Sequence, residues 1–197
     1  DTLLANENLG RIKIVADQGV SGCSDDSIAS TGQPGAGCSY EALYSYGARS
    51  FSIWNGSTGA LVFDSGSDFE LITAQRLGEG FNASNDDNEG DNRSDDKGPE
   101  PEGVIVATIG GTPYAFITLE RVGGVMVYDV SDPTNAVFVD YANPRATADD
   151  PVNSTIEDNL GPESLVFIPA GDSPTGDMLL VVTNEVSGST LVFRVND

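Results

Sequence analysis

The sequence predicts an all-β protein of β-propeller type, and three observations carry that prediction. Short β-branched and aromatic runs, separated by Gly, Asp, Asn and Pro, recur along the 197 residues. No amphipathic helical stretch of useful length accompanies them. A unit of three predicted strands also repeats in the second half of the chain, as expected for the blades of a propeller.

The predicted strands are short, and turn residues bound each of them. They occupy residues 11–15, 50–54, 60–63, 104–109, 114–119, 125–130, 165–168, 178–183 and 190–195. Gly56, the pair Gly110 and Gly111, and the segment 172–177 lie where hairpins would turn. This pattern of strand and turn is typical of an all-β domain.

The internal repeat relates residues 98–130 to residues 161–195. In each copy a corner containing Gly, Pro and Glu precedes three strands, and a third, weaker copy covers residues 44–63. Three units are too few to close a ring, which needs about four blades. Residues 1–197 are therefore expected to form a single propeller-type segment, either a partial propeller or the C-terminal fragment of a larger one. The pairs that match without a gap are Thr118/Thr183, Glu120/Glu185, Gly123/Gly188, Val127/Val192 and Val130/Val195.

The net charge restricts the possible partners. Thirty-one acidic and nine basic side chains give a formal charge of −22 at pH 7. Such a surface repels phosphate backbones, which excludes nucleic acid as a partner, and it attracts cations such as calcium. The longest apolar runs, such as residues 179–182, are far shorter than the ~20 residues that cross a bilayer, so no membrane span is expected in this segment.

The complete absence of histidine removes many catalytic centres. Ser-His-Asp and Cys-His nucleophilic catalysis, His-ligated zinc and the two-histidine iron site are all excluded within this segment. The sequence also has no glycine-rich phosphate loop. Chemistry based on carboxylate oxygens is what remains.

The two cysteines indicate an oxidising compartment. Cys23 and Cys38 lie in a predicted loop, residues 16–40, where a disulfide would stabilise the fold by ~3 kcal/mol. Two reduced thiols are the alternative. Four glycosylation sequons agree with secretion to the extracellular space or the cell surface. They begin at Asn55, Asn82, Asn92 and Asn153.

A long acidic loop is predicted at residues 82–102, where no large apolar residue can enter a core. Its hard oxygen ligands suit Ca²⁺, which takes about six to eight oxygens in irregular geometry. The spacing does not fit an EF-hand, and a solvated charge run is the alternative. The candidate ligands are Asp86, Asp87, Asp91, Asp95 and Asp96, with Arg93 and Lys97 as salt-bridge anchors.

A second candidate site consists of glutamates at equivalent positions of the two repeats. Repetition would point their side chains in equivalent directions, where converging carboxylates could hold a cation or act as general acid and base. The alternative is that each glutamate caps backbone N–H groups at a blade corner. Arg121 would bind phosphate at such a site, or else anchor nearby carboxylates. The glutamates are Glu102, Glu120, Glu163 and Glu185.

Five segments of the chain resemble the choice-of-anchor I proteins, and the resemblance covers nearly the whole chain. The segments are residues 47–54, 63–70, 91–103, 119–124 and 184–188, of which the most specific, 91–103, reads DNRSDDKGPEPEG. These proteins are related to mesenchyme-specific cell-surface glycoproteins of biomineralising animals and to atypical bacterial alkaline phosphatases. The resemblance implies the C-terminal part of a secreted β-propeller, attached to cell surfaces or released.

Three functions remain open at this point. The first is a secreted calcium-binding β-propeller of a cell-surface or extracellular matrix protein, without catalytic activity. The second is a metal-dependent, alkaline phosphatase-like phosphomonoesterase that uses the repeated glutamates. The third is a structural subunit of an extracellular assembly, in which exposed strand edges pair with another chain. The expected partner is the remainder of the propeller or another protein chain.

Overall fold

The computed structural model describes residues 2, 5, 12–22, 38–47, 49–85, 89–145 and 159–196. They form two compact units, one of Asp1–Gly47 with Asp95–Lys97 and one of Ala48–Ser94 with Gly98–Asp197. Almost all regular structure in the described residues is β-strand, in small antiparallel sheets. The predicted all-β class is confirmed, and the sheets are consistent with partial propeller blades.

The first unit contains a two-stranded antiparallel ribbon of β1 (Val20–Ser21) and β2 (Ser39–Tyr40). The strand predicted at residues 11–15 is reduced, in the part that is described, to an isolated bridge between Ile14 and Ser45. The backbone N–H of Val15 donates to the carbonyl of Tyr44 at 2.8 Å beside that bridge. The apolar run in this segment therefore predicted an extended, paired backbone correctly but overestimated the length of the strand.

The second unit begins with a hairpin and a helix. β3 (Ser52–Trp54) pairs with β4 (Leu61–Asp64), followed by α1 (Asp68–Leu77) and a 3₁₀ turn at Gly78–Gly80. The sequence predicted no amphipathic helical stretch of useful length and so did not reveal α1, a short helix in which only Phe69 and Thr73 are fully buried and whose apolar stripe is therefore weak. Acidic residues in the first turn and Arg76 in the last turn complement the helix dipole. No helix among the described residues is long and apolar enough to cross a membrane.

A four-stranded antiparallel sheet follows, with its strands in sequence order. It consists of β5 (Pro101–Ile109), β6 (Thr112–Leu119), β7 (Val125–Asp129) and β8 (Val137–Ala142). Three of these strands were predicted, and β8 was not. A three-stranded antiparallel sheet then forms from β9 (Pro162–Ile168), β10 (Met178–Asn184) and β11 (Thr190–Val195).

The four-stranded sheet buries one face against α1 and the region of β3 and β4. Because side chains alternate along a strand, Ile117 and Leu119 of β6 point to the same face. They join Phe69 and Tyr128 in one buried cluster, with Phe51 packed against it. The rings of Phe51 and Tyr128 have centroids 4.8 Å apart, in a tilted arrangement that favours aromatic contact.

The opposite face of the same sheet packs against the three-stranded sheet. Ala107 and Phe116 from the first sheet meet Leu180 and Val182 from the second in a separate buried cluster. Phe116 and Phe167 stack with centroids 6.2 Å apart. The four-stranded sheet is thus the middle layer of the second unit, with a core on each side.

Leu119→Ala is expected to destabilise the fold by about 2–5 kcal/mol, because Leu119 is fully buried and the truncation leaves a cavity. Urea unfolding followed by circular dichroism measures the change. Leu71→Ala is the matched control, since Leu71 lies on the exposed side of α1 and is expected to change stability by about 0.5 kcal/mol or less. Equal losses in the two variants would contradict this packing.

Candidate functional site

Arginine side chains hold both ends of the acidic loop to the second unit. Arg49, Arg93 and Arg121 each form an ion pair with a glutamate, and Arg145 binds two backbone carbonyls. The four guanidinium groups come from before the loop, from within it and from after it. In a chain of such acidic composition, these contacts neutralise carboxylates that would otherwise repel one another.

The beginning of the loop is fixed around Asn82, whose side chain is completely buried. Its Nδ2 donates to Glu70 Oε1 at 3.0 Å and to Ser94 Oγ at 2.9 Å. Ser94 Oγ in turn donates to Asp91 Oδ1. Arg49 completes the group, because Nη1 pairs with Glu70 Oε1 and Nη2 donates to the Ser94 carbonyl, each at 2.6 Å. A buried amide therefore links the helix to the returning part of the loop.

Glu100 is the buried carboxylate that two arginines share. Arg93 Nη2 donates to its Oε1 at 2.6 Å, and Arg121 Nε donates to the same oxygen at 3.1 Å. Glu100 has φ of 51°, in the left-handed region that residues with a Cβ rarely occupy. The corresponding corner of the second repeat has Gly161, with φ of 70°. Glutamate thus replaces glycine at a strained position, and its ion pairs offset the strain.

The Glu100 corner is also joined to the turn between β6 and β7. The backbone N–H of Glu120 donates to the Glu100 carbonyl at 2.8 Å. Arg121 Nη1 donates to Asn85 Oδ1 at 2.6 Å, and Asn85 Nδ2 donates to Glu120 Oε1 at 3.0 Å. These bonds close a ring of polar side chains between the loop and the sheet.

Residues at the end of β8 and just after it fasten the same turn from its other side. The Tyr141 hydroxyl donates to the Gly123 carbonyl at 2.7 Å and accepts from Asn143 Nδ2 at 2.9 Å. Arg145, which is 6% exposed, donates from Nη1 to the Arg121 carbonyl at 2.6 Å and from Nη2 to the Ser84 carbonyl. Sequence reasoning missed Arg145 because its partners lie far away in the chain, and no local motif marks it.

The structure describes only some of the predicted calcium ligands. Asp86 and Asp87 lie outside the described residues, and Asp91 is exposed with φ of 60°. Asp95 and Asp96 belong to the first unit, where Asp96 Oδ2 is 3.7 Å from Lys13 Nζ. Among the described residues, no group of three or more carboxylates or cysteines is placed to hold a metal ion. A calcium site in this loop stays a prediction.

The four predicted glutamates differ in their contacts and in their exposure. Glu120 is paired with Asn85 and Arg121, whereas Glu102, Glu163 and Glu185 are exposed. The anchoring role predicted for Arg121 and Arg93 matches their ion pairs with Glu100. The Lys97 anchor lies in the first unit together with Asp95 and Asp96.

The cysteine and sequon predictions have mixed outcomes. Cys38 is not a free thiol, but Cys23 lies outside the described residues, so the disulfide between them stays a prediction. Asn153 also lies outside them, Asn55 is exposed and Asn92 is half-buried. Glycosylation stays a prediction at all four sequons; at Asn82 the side chain is buried, and its Nδ2, the atom that would carry the glycan, bonds to Glu70 and Ser94.

Glu100→Gln is expected to destabilise the second unit by about 2–4 kcal/mol, because two guanidinium groups lose the charge of their common acceptor in a buried setting. Urea unfolding measures the effect. Glu102→Gln, two residues further along on an exposed position, is the control and is expected to change stability by about 0.5 kcal/mol or less.

The strain at the same corner is tested by comparing Glu100→Ala with Glu100→Gly. Both variants lack the carboxylate, and they differ only in the cost of the left-handed backbone. The glycine variant is expected to be more stable than the alanine variant by about 1 kcal/mol. Equal stabilities would show that the positive φ of Glu100 carries no strain.

Burial raises the pKa of the Tyr141 phenol well above its ordinary value of 10.0. Since the folded pKa exceeds the unfolded one, the stability linked to this phenol is complete below pH 10 and is lost as the pH rises towards the folded value. Tyr141→Phe is expected to lower the free energy of unfolding by about 1–2 kcal/mol at pH 7. It should also make the decline of that free energy between pH 9 and pH 11 shallower, by the amount that one buried phenol contributes. Denaturant titrations across that range test this, with Tyr46→Phe at an exposed position as the control.

Comparison with known proteins identifies the family. Residues 7–133 match the model of the choice-of-anchor I domain. Gigasin-3a of Magallana gigas is 30% identical over 166 residues, which are 79% of this chain and 58% of that protein, so the chain spans a little more than half the length of this curated relative. No solved structure matches the chain. The family match covers more than half of the sequence and includes Arg93, Glu100 and Arg121, and the chain therefore belongs to the choice-of-anchor I domain family.

Proposed function

We propose that this chain is a calcium-binding, non-catalytic β-propeller segment of a secreted cell-surface or extracellular matrix protein. Family membership supports a surface or extracellular setting. The observation that carries the proposal is the arginine network, which anchors both ends of the acidic loop to a folded scaffold. Fixing both ends of the loop restricts the conformations that the acidic segment between them can adopt.

The anchoring contacts bracket the candidate ligands in the sequence. Asn82 and Asn85 are bound before Asp86, and Ser94 and Glu100 are bound after Asp91. The backbone contributes as well, since the N–H of Asp91 donates to the Phe81 carbonyl at 2.7 Å. Fixing the two ends lowers the conformational entropy that the loop would lose on binding an ion. The fixed ends therefore support cation binding by this loop over the alternative of a solvated charge run.

The way the network uses its charges supports a non-catalytic role. Each glutamate inside it is ion-paired: Glu70 with Arg49, Glu100 with Arg93 and Arg121, and Glu120 with Arg121. Carboxylates held in this way neutralise neighbouring cations, and general acid-base catalysis instead needs a group that exchanges a proton with substrate. The network serves structure and positioning.

The phosphomonoesterase alternative receives no support from Arg121. Its Nε, Nη1 and Nη2 contact Glu100, Asn85 and Glu120, so binding a phosphate would require breaking these contacts. A metal-dependent phosphatase also needs carboxylates that converge on the ion. Glu102, Glu163 and Glu185 are instead exposed. We therefore place this activity second.

Calcium is expected to raise the melting temperature by about 5–10 °C at a concentration 100 times its Kd, and EDTA should reverse the shift. Asp91→Asn, and Asp86→Asn combined with Asp87→Asn, are expected to reduce the shift and the heat of calcium binding in a calorimetric titration. Asp172→Asn is the matched control, because it removes one charge from an exposed turn between β9 and β10.

Two results would count against the proposal. The same thermal shift with magnesium or with sodium at equal ionic strength would indicate general screening of the net charge of −22. Calcium-dependent hydrolysis of p-nitrophenyl phosphate that is lost on substitution of Glu120 would replace the binding function with the phosphatase.

A further inference from the structure

The hairpin between β3 and β4 ends in an exposed turn that contains the pair Asn55 and Gly56. No other asparagine in the sequence is followed by a glycine. Asn55 N–H donates to the Ala60 carbonyl, and Gly59 N–H donates to the Asn55 carbonyl, each at 2.8 Å. The pair therefore lies on the surface of the second unit, in a turn that backbone hydrogen bonds close.

Two backbone donors hold the side-chain carbonyl of Asn55. Its Oδ1 accepts from the N–H of Ser57 at 2.9 Å and from the N–H of Thr58 at 3.1 Å. Donors at about 2.7–3.1 Å stabilise the oxyanion that develops when a nucleophile adds to a carbonyl carbon. A nucleophile that adds to Cγ of Asn55 would place its negative charge on this oxygen. The turn therefore provides electrostatic support for attack at that carbon.

The nearest nucleophile is the backbone nitrogen of Gly56, which follows Asn55 directly in the chain. Glycine has no Cβ that would shield this nitrogen. The surroundings are open as well, since no atom of the described residues, apart from the chain neighbours, lies within 4 Å of the position that a Cβ would occupy. The nitrogen of Gly56 is therefore sterically accessible for reaction with Cγ of Asn55.

We propose that Asn55 is a site of intramolecular deamidation in the folded chain. The Gly56 nitrogen bonds to Cγ of Asn55 and gives its proton to water, which forms a five-membered imide. The bond between Cγ and Nδ2 breaks, and Nδ2 takes a proton from water and leaves as ammonia. A second water opens the ring at either carbonyl. The products are aspartate, or isoaspartate in which the main chain runs through the former side-chain carbonyl.

The two products differ in their effect on the hairpin. Aspartate keeps an acceptor oxygen for the N–H groups of Ser57 and Thr58 and adds one negative charge to the turn. Isoaspartate adds one carbon to the main chain, which disrupts the hydrogen bonds that close the turn. Because β3 and β4 have only three and four residues, losing these bonds is expected to destabilise the hairpin. The inference is independent of calcium binding.

The test uses the full chain, produced in bacteria so that Nδ2 carries no glycan and incubated in mildly alkaline buffer. Peptide mapping by mass spectrometry follows conversion at each asparagine, and an isoaspartate-specific methyltransferase detects isoaspartate. Asn55 is expected to convert at least about tenfold faster than Asn135, which is also exposed but precedes Ala136.

A synthetic peptide of residues 50–62 measures what the folded turn contributes. The turn restricts the motion of Gly56, but its two N–H donors support the attack, so the folded chain is expected to convert within about tenfold of the rate of the peptide. Circular dichroism of the incubated chain confirms that conversion occurs without unfolding.

Gly56→Ala is expected to slow the conversion of Asn55 at least about tenfold, because the added methyl group shields the backbone nitrogen. The variant should fold normally, since Gly56 is not among the glycines with positive φ and the Cβ meets open space. Ser57→Ala is the matched control. It keeps the N–H that donates to Oδ1 and the adjacent glycine, and it should leave the rate unchanged.

Three results would overturn the proposal. The first is equal conversion of Asn55 and Asn135 in the folded chain. The second is conversion of Asn55 that is more than about tenfold slower in the folded chain than in the peptide, since the turn would then protect the amide. The third is an unchanged rate in Gly56→Ala.

Discussion

The shared carboxylate of Glu100 is the interaction on which the acidic loop depends. A buried carboxylate costs several kcal/mol unless partners compensate it, and here Arg93 from the loop and Arg121 from the turn after β6 bind one oxygen. The pairing ties the returning loop to the middle sheet. It also explains why a glutamate stands where the second repeat has Gly161, since the ion pairs hold a backbone conformation that alone would be unfavourable. Without them, the repulsion within residues 82–102 would be opposed by little apolar contact.

Most of the strands could be predicted because period-two alternation reports burial directly. β6 shows this well, since Ile117 and Phe116 enter different cores on opposite faces of one sheet. β8 escaped prediction because Val137 and Val139 remain exposed, so its sequence lacks the contrast between inner and outer faces. The helix α1 was not predicted, for a related reason. Its burial rests on few side chains, and the decisive contact, between Phe69 and Tyr128, joins residues far apart in the chain.

The candidate site could be predicted only where it is local. The segment 91–103 pointed to Arg93 as an anchor but not to its partner Glu100, and Asn82 and Arg145 were missed because they act through partners that are distant in sequence. Composition showed that carboxylates are dense, but it could not show which of them neutralise arginines. The reason is physical. The sequence determines the charge of each segment, whereas the folded topology determines which charged side chains come into contact.

The two repeats share a register and differ at their corner residue. The first has its fourth strand, and its corner residue, Glu100, supports the loop network. The second has Gly161 at that corner, which adds no charge. A repeat supplies the same backbone positions twice, so a change of one residue is enough to place an ion-paired anchor in one copy and not in the other. The backbone N–H of Glu120 donates to the Glu100 carbonyl, and the N–H of Glu185 donates to the Gly161 carbonyl in the same way, so the side chain at the corner alone decides which copy holds the loop.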